Sequence, residues 1–260
     1  MSATYIMEDD REAMRLSQKV DPSDWVKRFF APFLTHSQHV LDVGAGSGIL
    51  AAEIARQYPE KTVVGIDISE TRLKHAREHY PLPSLSFNYA DSTALPFPDG
   101  NFDLVYSRLM LEYLKHPEVS VCEMARVCKP GGKVILQDLD GQLIWHYPVP
   151  DFQEEMDRVL VEMAKTGHDV LVGRKLFSFA KAAGLTNITV SVDPYHLYAG
   201  RVNEKELMEW ELKLDIALPL IEQVYNKEKA LELKQKFLSY LLDQNTLTYS
   251  VLFTVVGEAV

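Results

Sequence analysis

The sequence predicts an α/β protein built on a doubly wound, mostly parallel sheet, and three observations predict it. Short apolar runs, rich in β-branched and aromatic residues, alternate with helical patterns through the middle of the chain. A glycine-rich turn, VLDVGAGSG (40–48), joins the first of these runs to a helix. A long apolar run, TLTYSVLFTVVGE (246–258), closes the chain as a strong final strand.

Taken in order, residues 8–34 read as two helices, with DPSDW supplying an Asp-Pro break and a cap. The strands are HVLDVGA (39–45), TVVGID (62–67), LSFNYAD (85–91), FDLVYSR (102–108) and KVILQDLD (133–140). Between them GILAAEIARQY, ETRLKHAREHY and PEVSVCEMARVC repeat their apolar residues at helical spacing. KPGG (129–132) is a turn that hands the last of these helices to its strand. Residues 151–183 read as two further helices broken at TGHD, and NITVSVDPYHLY (187–198) alternates like a strand. Residues 204–243 are helical, since Leu207, Trp210, Leu214, Leu218 and Ile221 recur three or four apart, as do Phe237 and Leu241. Pro219 is expected to kink or divide this segment.

Composition excludes several function classes. The 260 residues suffice for one large core, or one core with a cap, and 47% of them are hydrophobic, as in ordinary globular proteins. A formal net charge of −10, with no run of lysines and arginines, argues against nucleic acid as a partner. The opening MSATYIMEDDREAMRL is polar and acidic, unlike a signal peptide, and no apolar run approaches the roughly 18 residues of a membrane span. Cys122 and Cys128 stand on different faces of a helical pattern, so neither a disulfide nor a zinc pair is expected. A cytoplasmic protein without stable membrane insertion, monomeric or homodimeric, is the expectation. His75 and His79 stand four apart on an exposed-looking helix without the metalloprotease glutamate between them, so no metal site is expected.

A strand that ends in glycines and leads into a helix is a cradle for a phosphate or nucleotide, because a backbone without Cβ atoms turns tightly and approaches a ligand closely. Gly44, Gly46 and Gly48 give G-x-G-x-G, and Ile49 stands where the third glycine of the dinucleotide fingerprint belongs. About twenty residues past Gly48, Asp67 ends the second strand, where an acid accepts both ribose hydroxyls. Asp91 closes the third strand, followed by Ser92, and an acid there accepts from an exocyclic amine; alone, it is more often a helix cap.

Together VLDVGAGSG, GIDIS, ADSTALPFPDGNFDLVYS and EMARVCKPGGKVILQDLD resemble the class I S-adenosylmethionine-dependent methyltransferases over about residues 39–140. YIMEDDREAMRL is similar, more loosely, to the opening of bacterial small-molecule methyltransferases. The resemblance implies a seven-stranded, Rossmann-like sheet with an antiparallel last strand. It implies a helical lid at 1–36, a core at 37–200 and 245–260, and a cap at 201–244 covering the substrate. It also implies S-adenosylmethionine as cofactor and S-adenosylhomocysteine as product. Gly44, Ala45, Gly46 and Gly48 would face its methionine part, Asp67 would hold the ribose, and Ile68 would pack on the adenine. Asp91 would take the adenine amine, with Ser92 offering its backbone and Ser107 its carbonyl. Asp42 would sit under the loop and help place the cofactor, or simply brace the turn. Tyr5 would close over the amino-acid end.

A sulfonium methyl is already activated, so alignment, exclusion of water and removal of a proton are all that the protein must supply. The groups expected at the carboxyl ends of the strands are Ser107, Arg108, Asp138 and Asp140. Catalytic candidates are Asp138, to orient an amine or hydroxyl; His146, as a general base; and Tyr5. Glu112 and Tyr113 stand where related enzymes carry a histidine pair, a departure that leaves the acceptor undefined; Glu112 reads equally as a solvated helix residue. Tyr195, His196 and Tyr198 either line a pocket or fill the cap. The expected reaction is methyl transfer to an N, O or C nucleophile of a small molecule. The alternatives are a protein or peptide acceptor, a non-catalytic cofactor-binding interaction protein, and a dinucleotide oxidoreductase, the last opposed by Ile49.

Overall fold

The computed structural model describes residues 21–260, the side chains of 142–144 excepted. Expectations for residues 1–20, which include Tyr5 and most of the proposed lid, lie outside the described residues.

Asp21 acts as an N-cap: its Oδ1 accepts from Ser23 N at 2.9 Å and Asp24 N at 3.1 Å. Pro22 takes the first helical position, where a missing N–H costs nothing. From there α1 (Pro22–Trp25), a π-helical turn (Val26–Phe30) and α2 (Ala31–Leu34) follow without interruption. The alternating core comes next: β1 (His39–Val43), α3 (Ile49–Gln57), β2 (Thr62–Asp67), α4 (Glu70–His79), β3 (Leu85–Tyr89), β4 (Phe102–Arg108), α5 (Pro117–Val127) and β5 (Cys128–Tyr147). The chain closes with α6 (Gln153–Lys165), α7 (Leu176–Ala182), β6 (Thr186–Ala199), α8 (Glu204–Val224), α9 (Lys227–Leu241) and β7 (Leu247–Glu258).

The seven strands form one sheet in the order β3-β2-β1-β4-β5-β7-β6, and β7 runs antiparallel to both of its neighbours. Alternate residues of each strand face opposite sides, which gives two cores. Leu41, Val43, Val105 and Leu136 meet Val121 and Met124 of α5 and Leu176 and Ala180 of α7. Val40, Leu104, Tyr106 and Ile135 meet Ile54 of α3 and Val26, Phe30 and Leu34 of the amino-terminal helical segment. Between β3 and β4 a loop takes the place of a helix, and Arg126 of α5 holds it. Its guanidinium donates to Leu95 O at 3.0 Å and Phe97 O at 2.9 Å, and pairs with Asp99 at 2.7 Å. Glu123 completes the clamp, meeting Arg126 at 2.7 Å and Leu95 N at 2.8 Å.

β5 and β7 stay paired as far as Tyr147 and Leu247, with a register shift between Asp140 and Trp145, and this outer ladder carries the cap. In α8 and α9 the stripe Trp210, Leu214, Phe237 and Leu241 is buried, and the Phe237 ring lies 6.1 Å from that of His146 near the end of β5. The stripe packs on Phe152 and on Val159 and Met163 of α6, forming a third core. Pro219 does not divide α8; the helix runs on to Val224. The buried stripe continues past the proline to Ile221, and that packing offsets the roughly 3 kcal/mol an internal proline costs. The break falls at Asn226, whose Oδ1 caps α9 through Lys229 N at 2.9 Å.

Candidate active site

The turn between β1 and α3 is clasped to the end of β2. Gly44 N and Ala45 N both donate to Ile66 O, at 2.9 and 2.8 Å. Gly46 N donates to Asp67 Oδ2 at 2.8 Å, and Ser69 N to Asp67 Oδ1 at 2.8 Å. The three glycines have left-handed backbones, φ 80°, 55° and 79°. What a Cβ would meet divides them. At Gly44 it would lie 2.4 Å from Met110 Cγ, and at Gly48 2.5 Å from Phe87 Cζ, so the protein's own packing forbids both. At Gly46 it would meet nothing within 4 Å. That glycine faces open space.

Gly44, Asp67, Ile68, Asp91 and Ser92, from the ends of β1, β2 and β3, together line one cavity of about 230 Å³. Ile68 is 41% exposed and forms an apolar part of the cavity wall. Asp91 is held by a local turn, its Oδ1 accepting from Thr93 N at 2.8 Å and Thr93 Oγ1 at 2.7 Å. Ser92 Oγ lies 2.8 Å from Ser120 Oγ, which ties this edge to α5. Arg72, Met110, Tyr113, Lys115, Thr166 and Gly167 complete the wall. Sequence reasoning missed this outer wall, apart from Tyr113. The turn signal TG at 166–167 was its one visible trace; Gly167 has φ 94°, and a Cβ there would crowd Lys115 N at 3.3 Å.

Asp42 lies beneath the turn, opposite Tyr106 in the β1–β4 ladder and almost fully buried. Burial raises its carboxyl to about 7; the Tyr106 phenol works against that rise, the Asp67 charge adds to it and Arg108 opposes it. The loop amides go to Ile66 O and Asp67 rather than to Asp42. Among the described residues Asp42 therefore does not position the loop through its amides. Ser107 is fully buried at the end of β4, paired with Val43 and Leu136.

The catalytic candidates do not come together. Asp138 is fully buried and accepts from Leu139 N at 2.9 Å and Glu112 N at 3.2 Å. It braces the short 3₁₀ turn Leu111–Tyr113 from below, and does not line the cavity. Burial, and then the neighbouring Glu112 carboxylate, push it well above the usual carboxylate range. Glu112 is 2% exposed, not on a solvated helix face; its Oε2 lies 3.9 Å from His168 Nε2. His146 stands on the outer ladder, with Nδ1 3.2 Å from Thr248 Oγ1 and its ring 4.9 Å from that of Tyr240. Burial lowers it to about 4, and it belongs to the aromatic packing around the cap, not to the cavity. Asp140 is committed to Arg174, at 2.7 Å from Nε and 2.6 Å from Nη2. His196 is buried beside Ser250 and Trp210, and Tyr198 packs on the cap core, whereas the ring of Tyr195 lies 6.4 Å from that of Trp25. Among the described residues no cluster of His, Cys, Asp or Glu is able to hold a metal, and no helix is long and apolar enough to cross a membrane.

A family model described as a methyltransferase domain matches residues 41–136. Among curated proteins the chain is similar to the O-methyltransferase cnsE of Penicillium expansum, 33% identical over 44% of this chain and 41% of that protein. Among solved structures it is similar to phosphoethanolamine N-methyltransferase 2 of Haemonchus contortus in complex with S-adenosyl-L-methionine, with TM-score 0.58 and 19% identity over 92% of this chain and 52% of that one. The [4+2]-cyclase SpnF has TM-score 0.54 and 20% identity over 97% and 85% of the two chains. At these identities the structures speak for the fold. The chain spans about half the length of the curated relatives it matches, between 41% and 58% for the first three.

Proposed function

For a chain that belongs, through the domain at 41–136, to the class I S-adenosylmethionine-dependent methyltransferases, we propose that it binds S-adenosylmethionine at the carboxyl ends of β1–β3. We propose further that it transfers the methyl to an N, O or C nucleophile of a small molecule. The observation that carries this reading is the convergence of Gly44, Asp67, Ile68, Asp91 and Ser92 on one cavity.

The residues present fit the cofactor. Asp67 already accepts two backbone N–H groups. A carboxylate has about four acceptor positions, so two remain for the ribose hydroxyls. Asp91 uses Oδ1 in its turn and has Oδ2 to offer to an adenine amine. Ile68 supplies an exposed apolar face for the adenine ring, and Gly46 leaves room beside the loop. When bound, the cofactor supplies an activated methyl on a sulfonium. The chain's own part is to hold the nucleoside from three strand ends, to place the acceptor in line with the methyl, and to keep water out. The cap inserted between β6 and β7 supports an enclosed small molecule over a protein or peptide acceptor. The free thiols of Cys122 and Cys128 support a cytoplasmic setting.

Calorimetric titration with S-adenosylhomocysteine and, separately, with a nicotinamide dinucleotide tests the first half. Binding of the dinucleotide alone refutes it. The fold shared with a cyclase makes turnover a separate question. Release of labelled methyl into a small-molecule fraction supports transfer; a protein that binds the cofactor and turns over no acceptor is a binding protein.

A further inference from the structure

The carboxyl end of β4 carries a positive charge with an unused hydrogen-bonding edge. Arg108 pairs with Gln137 across the β4–β5 ladder and follows Ser107, the partner of Val43, so it stands beside the first glycine of the loop. Its guanidinium carbon lies 4.1 Å from the centroid of the Trp25 ring. Trp25 is itself pinned: its Nε1 donates to Gln137 Oε1 at 2.9 Å, and Gln137 Nε2 donates to Thr254 Oγ1 at 2.9 Å. Nε and Nη2 of Arg108 are buried just behind the cavity wall, which Leu109 and Met110 line and Arg108 does not, and they have no hydrogen-bond partner among the described residues. Asp42 is near enough to feel the charge, yet meets neither of these nitrogens.

Nε and Nη2 form the side of a guanidinium that takes a carboxylate through two parallel hydrogen bonds. This chain shows the edge in use elsewhere, where Arg174 grips Asp140 with Nε at 2.7 Å and Nη2 at 2.6 Å. A buried charged donor without an acceptor is unfavourable, and stacking on Trp25 fixes the plane of the fork rather than satisfying it. We propose that Arg108 is a ligand-binding residue of the methyltransferase site that takes a carboxylate side-on through Nε and Nη2. The proposal rests on the methyltransferase reading. Two carboxylates have the required chemistry: the α-carboxylate of the cofactor's methionine part, and a carboxylate on the methyl acceptor.

Calorimetry on the full chain, as wild type and as Arg108→Gln, separates the sources, with circular dichroism to establish that the variant folds. The ligands are S-adenosylhomocysteine and its α-carboxamide. If the cofactor's carboxylate sits on Arg108, the wild type prefers the acid by roughly tenfold or more and Arg108→Gln loses the preference. If the acceptor's does, acid and amide bind alike in both proteins. Benzoate or octanoate, titrated into the loaded and the unloaded wild type, then binds in a way that Arg108→Gln abolishes. Arg108→Lys keeps the charge without the fork; it recovers only part of the affinity, and it stands in if the glutamine variant does not fold. A wild type that ignores S-adenosylhomocysteine strikes the methyltransferase reading, while the titrations of the unloaded protein still decide the role of Arg108. A folded variant with wild-type affinity for all these ligands, or a wild type indifferent to carboxylate in both arms, overturns the proposal.

Discussion

Gly46 and Gly48 share a left-handed backbone, at φ 55° and 79°, and differ in what a side chain would meet. An alanine at either position carries the strain of that conformation, about 1–2 kcal/mol. At Gly48 the added methyl would also lie 2.5 Å from Phe87 Cζ and 2.9 Å from Ala76 Cβ, both in the core beneath α3 and α4. Displacing them adds the cost of overpacking, about 1–3 kcal/mol. At Gly46 the methyl meets nothing within 4 Å, and the turn keeps its anchor on Asp67. Urea unfolding should therefore show Gly46→Ala less stable than wild type by about 1–2 kcal/mol, and Gly48→Ala clearly worse. Binding should reverse the emphasis. The Gly46 methyl fills the space where the loop backbone would touch the cofactor, so affinity for S-adenosylhomocysteine should fall roughly tenfold or more in a protein that is otherwise folded. Wild-type affinity in Gly46→Ala would remove the loop from the binding site. Equal stability losses at the two positions would refute the packing contrast.

Asp67→Ala removes the acceptor for Gly46 N and Ser69 N as well as for the ribose. Calorimetry should show affinity down roughly tenfold or more, together with a stability loss of about 1–3 kcal/mol; unchanged affinity refutes the ribose assignment. Asp42 has a folded pKa raised from 3.8 to about 7, so between those values the folded state holds more protons than the unfolded one, and stability falls as pH rises through that window. The full loss is about 4 kcal/mol from that group, about 3 kcal/mol of it between pH 5 and pH 8; because Asp138 is raised as well, urea unfolding at those two pH values should show wild type losing more stability than Asp42→Asn by about that amount. Trp210→Ala removes a buried ring that touches Phe237 and His196 in the cap. Hydrogen exchange should then rise across 204–241 and stay slow in β1, β4 and β5, with acceptor turnover damaged more than cofactor affinity; a uniform rise would mean that cap and sheet open as one unit.

The sheet was legible because each of its signals is local. Val40 to Val43 and Leu104 to Tyr106 are short apolar runs, and the glycines after β1 sit where a left-handed backbone is required. The proposed cofactor side of the site follows from those same strand ends. What escaped depends on contacts far apart in sequence. Nothing near Asp138 says that its carboxyl will be spent on a backbone N–H of residue 112, and Asp140 finds Arg174 across 34 positions. His146 looks like a base beside other polar groups, until β7 and α9 surround it with Thr248, Phe237 and Tyr240. Leu109 has φ 51°, and a leucine carries no signal for that conformation. At Pro219 the converse holds: a local rule for a helix break yields to tertiary packing, and the helix is not divided there.

The cap and the cavity meet at one short turn, which bears on how an acceptor under the cap would reach the proposed cofactor side. Asp138 accepts from Glu112 N below the turn, and Asp169 N donates to Glu112 O at 2.7 Å from the segment after α6. The ring of Tyr113, which lines the cavity, lies 4.8 Å from that of His168. His168 in turn lines a smaller space of about 90 Å³ between α6 and α8, together with Trp210 and Lys213. Thr166 and Gly167, at the end of α6, are also part of the cavity wall. One segment, 166–169, thus belongs to both spaces. If the cofactor binds in that cavity as proposed, a displacement of α6 within the cap core would move the wall beside it directly, without passing through the sheet. On that reading the parallel strands and their two cores would be the fixed side of the site, and residues 111–113 and 166–169 the side that responds when the space under the cap is filled.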